Sequence, residues 1–147
     1  MADSRIYPDR PFLAVSAAII RDGRVLVVQR ARSPAAGLFT LPGGVVECGE
    51  TLEEAITREV QEETALQIQP RGLAGHREVI ASDAQKRVER HFVILSFAAC
   101  WLAGEVRLNE ELSDARWLRR HEIAGLQTTD GLEEIVAAAF QRVQSEA

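Results

Sequence analysis

LPGGVVECGETLEEAITREVQEETAL, residues 41–66, is the stretch from which the rest of the chain is read. Thr51 stands where a helix N-cap belongs, and Glu54, three residues on, completes a Thr-x-x-Glu capping box. A helix is expected from there to about Thr64 or Ala65. At about 100° per residue, Leu52 and Ile56 define its apolar stripe, flanked by Ala55 and Val60. Glu59 and Glu63 fall within roughly 20° of Leu52, inside that stripe, and Glu62 lies about 80° to one side.

A helix that starts by facing the core with leucine therefore ends by facing it with glutamates. Burying an unpaired carboxylate costs several kcal/mol, and neighbouring carboxylates repel one another. Arg58 is one cation against three acids. A divalent cation supplies the missing charge, and an all-oxygen donor set suits Mg²⁺ or Mn²⁺. The ordinary explanation of a Glu-rich helix is a solvated face. Here Glu59 and Glu63 do not lie opposite the apolar stripe, and Gly43-Gly44 just upstream lets backbone approach a ligand or metal closely.

The bulk composition bounds the rest. At 147 residues, 46% hydrophobic and 27% charged, the chain reads as one globular domain over 1–147. A net charge of −5 argues against general affinity for nucleic acid. Cys48 and Cys100 show no Cys-x-x-Cys spacing and read as free thiols of a cytoplasmic protein. No apolar run reaches membrane-spanning length, so no membrane partner is expected.

Residues 1–11 read as an irregular N-terminal arm, either frayed or packed on a second subunit of a homodimer. Phe12–Arg21 and Arg24–Arg30 read as strands joined at Asp22-Gly23, the first covered on both faces. Val45–Glu47 reads as a short strand. Leu66–Ile80 reads as extended segments broken by Pro70 and by Gly72 to Gly75. Residues 81–90 form a polar hairpin tip and His91–Leu102 a buried strand. An acidic loop, Asn109–Asp114, precedes a short strand, Ala115–Leu118, and residues 121–126 form a helical turn. Asp130 to about Val143 is an amphipathic helix with Leu132, Ile135, Val136, Ala139 and Val143 inward. This order predicts a mixed α/β sheet with a helix on each side.

The fixed positions Gly44, Glu50, Arg58-Glu59-Val60, Glu62-Glu63 and Leu66 resemble the signature of the Nudix hydrolases, with Ala65 standing where that family has glycine. The resemblance implies an α/β/α sandwich and hydrolysis of a pyrophosphate bond in a nucleotide. It implies metal ligands at Glu59, Glu63, Glu62 and the Gly43 carbonyl, and an Arg58–Glu50 ion pair that orients Glu59. It implies substrate contacts at Gly44 and at Arg30, which ends its strand. His91 is a further candidate facing the nucleotide. The general base stays open between a helix glutamate, Glu62 among them, and a loop acid, Glu110 or Glu111; Glu111 is favoured as base or metal ligand by analogy. LAVSAAII, RVLVVQR and LPGGVVECGE look like small bacterial ADP-ribose pyrophosphatases. That favours a nucleoside diphosphate linked to another moiety. A triphosphatase clearing damaged nucleotides and a non-cleaving nucleotide-binding domain are the alternatives.

Overall fold

A computed structural model describes residues 5–32 and 35–145. It contains β1 (Phe12–Arg21), β2 (Arg24–Arg30), β3 (Phe39–Thr40), β4 (Gly43–Val45), α1 (Leu52–Thr64), β5 (Gln67–Ser82), β6 (Val88–Ala103), β7 (Leu112–Leu118), a 3-10 helix (Arg120–Gly125) and α2 (Leu132–Ser145). The strands form one seven-stranded mixed sheet in the order β3-β2-β1-β6-β5, with β4 on β1 and β7 on β2.

The sheet splits at one place, and the split positions the site. Asp22 (φ 51°) and Gly23 (φ 76°) both take the left-handed conformation that a two-residue hairpin turn needs. Beyond that turn β1 and β2 pair only at Ile20↔Val25 and Arg21↔Arg24. They then diverge. β4 takes the freed edge of β1, with Val15 opposite Gly44 and Ser16 opposite Gly43. β3 pairs with the far end of β2, at Val28↔Thr40 and Gln29↔Phe39. Residues 39–45 thus fill the wedge. On its other edge β1 runs parallel to β6 from Phe12↔Phe92 to Ile20↔Cys100.

Successive residues of β1 serve opposite cores, as its unbroken apolar run requires. Val15, Ala17 and Ile19 pack with Ala55, Ile56 and Val60 of α1. Ala18 packs with Leu132, Ile135, Val136 and Ala139 of α2 on the other face. The two helices therefore flank the sheet, as the alternation of elements predicts.

Several expectations need correction. β4 lies two residues earlier than Val45–Glu47, on the glycines themselves. A Cβ at Gly43 would stand 2.0 Å from the Val15 carbonyl oxygen, so only glycine lies this close to β1. Pro70 and Gly72 do not break the chain after α1: β5 is a single strand of 16 residues, with register shifts between Pro70, Leu73 and Gly75. The proline is tolerated because β5 is an edge strand, and the irregularities are bulges rather than ends. β7 starts at Leu112, inside the expected loop, because Leu112 is a buried core residue. The described part of the N-terminal arm is irregular but not frayed. The Tyr7 N–H donates to the Glu89 carbonyl (2.8 Å), its hydroxyl to Asp83 (2.8 Å), and the Arg87 guanidinium lies 4.7 Å from its ring. Residues 1–4 of the arm lie outside the described residues.

The residue after α1 is Ala65, at φ 66° and ψ 10°, the left-handed conformation that the glycine of the signature would take freely. Ala65→Gly is expected to stabilise the chain by about 1 kcal/mol and raise Tm by about 3 °C. A lower Tm in thermal unfolding would contradict the strain assigned to this cap.

Candidate active site

α1 is fixed at both ends. The Glu54 N–H donates to Thr51 Oγ1 (3.1 Å) and the Thr51 N–H to Glu54 Oε1 (3.0 Å), so the capping box is complete. At the other end three carbonyls that lack helical partners are met from the loop before β7. Asn109 Nδ2 donates to the Glu62 carbonyl (3.3 Å), its N–H to the Glu63 carbonyl (3.2 Å), and the Arg107 N–H to the Thr64 carbonyl (2.8 Å). Asn109 Oδ1 also accepts the Glu111 N–H at 2.9 Å, and the Glu111 carbonyl accepts the Ala31 N–H at 2.9 Å. The helix end and the Glu111 loop therefore form one unit.

The last turns of α1 bring Glu59 and Glu63 under the glycine pair. Glu63 is 3% exposed, and its Oε1 accepts the Gly43 N–H at 2.8 Å. Burial pushes its carboxyl up to about 8; the Gly43 N–H opposes that shift, while the charges of Glu59 and Glu111 add to it. The Glu59 side chain, 14% exposed, is also shifted upward by burial, against the pull of Arg58. A Cβ on Gly44 would lie 2.4–2.6 Å from the Glu59 carboxylate. Gly44 is therefore the hole that Glu59 occupies. The Glu62 side chain is 57% exposed on the flank, as the helical wheel requires.

Arg58 holds this arrangement with all five of its N–H groups. Nε and one Nη2 hydrogen go to the two oxygens of Glu50 at 2.7 and 2.8 Å, and Nη2 also reaches the Val45 carbonyl at 3.2 Å. Nη1 donates to Glu59 at 2.9 Å and Glu62 at 3.3 Å. These contacts hold the arginine firmly protonated and draw the Glu50 carboxyl down to about 2, the second contribution there being the Glu47 N–H. Arg58 has no donor left for a phosphate. It ties the loop after β4 to the helix and orients Glu59.

The expected residues thus fall into two groups. Gly43, Gly44, Arg58, Glu59, Glu62 and Glu63 come together. Glu111 is exposed, close enough for its charge to reach Glu59 and Glu63. Arg30, at the end of β2, acts favourably on the ionised form of Glu63. His91 does not join them. It pairs with Ile80, four residues before Leu95, the β6 partner of Val15, which in turn faces Gly44. Four strand residues span about 13 Å. Sequence reasoning also missed Asn109; an asparagine two residues before the candidate acid Glu111 is an Asx-turn signal that points to it.

Among the described residues no three His, Cys, Asp or Glu side chains converge on one point closely enough to hold a metal ion. The donors nonetheless suit a hard divalent cation. Two carboxylates are buried side by side and disfavour ionisation, Arg58 is fully engaged, and all the candidate ligands are oxygens.

Comparison with known proteins agrees with this geometry. The family model described as the NUDIX domain matches residues 10–139. The chain is 35% identical over 107 residues to an ADP-ribose pyrophosphatase of Methanocaldococcus jannaschii, covering 73% of this chain and 61% of that protein. It is 31% identical over 121 residues to an NAD-capped RNA hydrolase, NudC, of Photobacterium profundum, covering 82% of this chain and 42% of the relative. The chain thus spans less than two thirds of the length of either. The crystal structure of a MutT NUDIX hydrolase from Burkholderia pseudomallei superposes with a TM-score of 0.74 at 30% identity, covering 88% of this chain and 98% of that one. With the glycine pair, the Arg58–Glu50 lock and the paired glutamates in place on this sheet, and a family match over most of its length, the chain belongs to the NUDIX family.

Proposed function

We propose that the protein hydrolyses the pyrophosphate bond of a nucleoside diphosphate linked to another moiety, with ADP-ribose as the favoured substrate and Mg²⁺, or Mn²⁺, as the cofactor. The observation that carries this is the buried Glu59–Glu63 pair beneath Gly43 and Gly44. The choice of substrate draws support from the relative named an ADP-ribose pyrophosphatase. The acidic net charge of −5 favours a free nucleotide over the body of an RNA.

Pyrophosphate cleavage needs little covalent help; it needs charge neutralised, a water aligned and a proton accepted. Glu59, Glu63, Glu62 and the Gly43 carbonyl would hold the cation, which supplies Lewis-acid stabilisation of the phosphate oxygens and a more acidic water. Arg58 keeps Glu59 in place. Arg30 offers its guanidinium to the phosphates. Glu111, exposed on the loop that Asn109 ties to α1, takes the proton from water or contributes a ligand in this reading. The absence of any helix long and apolar enough to cross a membrane, among the described residues, is compatible with a cytoplasmic setting.

A panel of ADP-ribose, NADH, dGTP and 8-oxo-dGTP with Mg²⁺ tests the reading. Highest kcat/KM on ADP-ribose is expected; a strong preference for triphosphates would move the assignment to nucleotide clearance. On the preferred substrate, Glu111→Gln should lower kcat by about 10² or more with Tm unchanged. Unchanged turnover would remove Glu111 from the mechanism.

The metal-free protein should also show the strain directly. The Glu63 carboxyl titrates near 4.5 when unfolded and near 8 in the fold, so the unfolded state gives up its proton first. Glu63 therefore imposes no penalty below about pH 4.5, and the metal-free fold loses stability as pH rises from there through about 8. Glu63→Gln is expected to flatten that fall and to remove the stabilisation by added Mg²⁺. If wild type and variant keep the same Tm difference across about pH 5 to 8, Glu63 is not the strained group.

A further inference from the structure

One residue of β7 has no place in the regular ladder. Gln29 of β2 stands opposite Asp114 and Arg30 opposite Leu112, so Ser113 is an extra residue, a bulge. The bulge decides which way the chain before it faces. Trp117 and Ala115 turn toward α1, and in an unbroken strand Ser113 would be the next to do so, with Leu112 facing away. Instead Leu112 is buried in the α1-side core and Ser113 is exposed. Glu111 is thereby brought to Ala31, whose N–H its carbonyl accepts at 2.9 Å, and Asn109 to the carbonyls at the end of α1.

The bulge is held by one side chain of β2. Ser113 Oγ donates to Gln29 Oε1 at 3.1 Å and lies 3.5 Å from the Gln29 carbonyl oxygen. The same amide donates through Nε2 to the Gly37 carbonyl at 3.0 Å. Gly37 and Leu38 in turn flank the next residue of β2: the Gly37 N–H donates to the Arg30 carbonyl (2.8 Å) and the Arg30 N–H to the Leu38 carbonyl (3.0 Å). Gln29 thus bonds both segments beside the end of β2, the turn at Gly37 and the segment that carries Glu111. A bulge leaves its extra residue outside the ladder, so its geometry depends on what holds that residue.

We propose that Gln29 is a positioning residue for Glu111: through the Ser113 hydroxyl it fixes the bulge that sets the Glu111 segment against the end of α1. This rests on the pyrophosphatase reading given above. Gln29 follows Val25 and Val27 on the α2 side of β2, the face away from Glu59 and Glu63. Its effect on the reaction therefore runs through Glu111 and not through a contact with the phosphates.

Ser113→Ala cuts the bond and leaves the Gly37 contact, while Gln29→Leu cuts both. On the preferred substrate each is expected to lower kcat about fivefold, the effect of losing one modest hydrogen bond, and Ser113→Ala should keep KM within about twofold. In a Glu111→Gln background neither should lower kcat further, because the group they position is gone. In amide hydrogen exchange on the metal-free protein, the Glu111 and Ala31 N–H groups should exchange about fivefold faster in both variants, with the amides of α1 unchanged. An equal loss of kcat with and without Glu111, or exchange at Glu111 and Ala31 equal to that of wild type, would overturn the proposal. If wild type cleaved nothing in the panel while exchange at Glu111 still depended on Gln29 and Ser113, the hold on this segment would stand and the hydrolase reading would fall.

Discussion

Two carboxylates, Glu59 and Glu63, are turned inward beneath a pair of glycines, and the surrounding structure is arranged around that fact. Each would ionise freely in water; buried together, both resist ionisation. The geometry that forces this is simple. α1 presents Leu52 and Ile56 to the core at its start. Two helical turns further on, the same stripe is occupied by Glu59, below Leu52, and by Glu63, below Ile56. A helix that docks by its leucine and isoleucine cannot keep these later acids in solvent.

The rest of the site holds that arrangement together. Gly43 donates its N–H to Glu63, and Gly44 leaves the space that Glu59 fills. Both glycines can be there because β1 and β2 diverge after their turn and let residues 39–45 enter the wedge. Arg58 spends every donor on the loop and the helix, so its effect on chemistry runs through the placement of Glu59. Asn109 performs the matching task at the helix end, satisfying two carbonyls while it shapes the backbone of Glu111. Stability and function thus depend on the same few side chains.

Much of this was legible in the sequence where local chemistry decides structure. The capping box, the two strands around Asp22-Gly23 and the buried face of α2 follow from spacing alone, and the structure has them within a residue or two. The inward acids of α1 follow from the helical wheel. What was not legible depends on long-range pairing. The strand at Gly43–Val45 exists because β1 offers it an edge, and glycines carry no strand signal of their own. Pro70 and Gly72 look like breaks until their strand is known to be an edge. Tyr7 shows no local sign of docking on Asp83, 76 residues away.

The central claim is that Glu63 is held protonated near neutral pH until a cation replaces the proton. Calorimetry of Mg²⁺ binding at about pH 7, in buffers of different ionisation enthalpy, measures this exchange. A carboxyl pushed up to about 8 should release close to one proton per cation bound, and Glu63→Gln should release almost none. Mg²⁺ binding with no proton release in the wild-type protein, or no binding at all, would contradict the account.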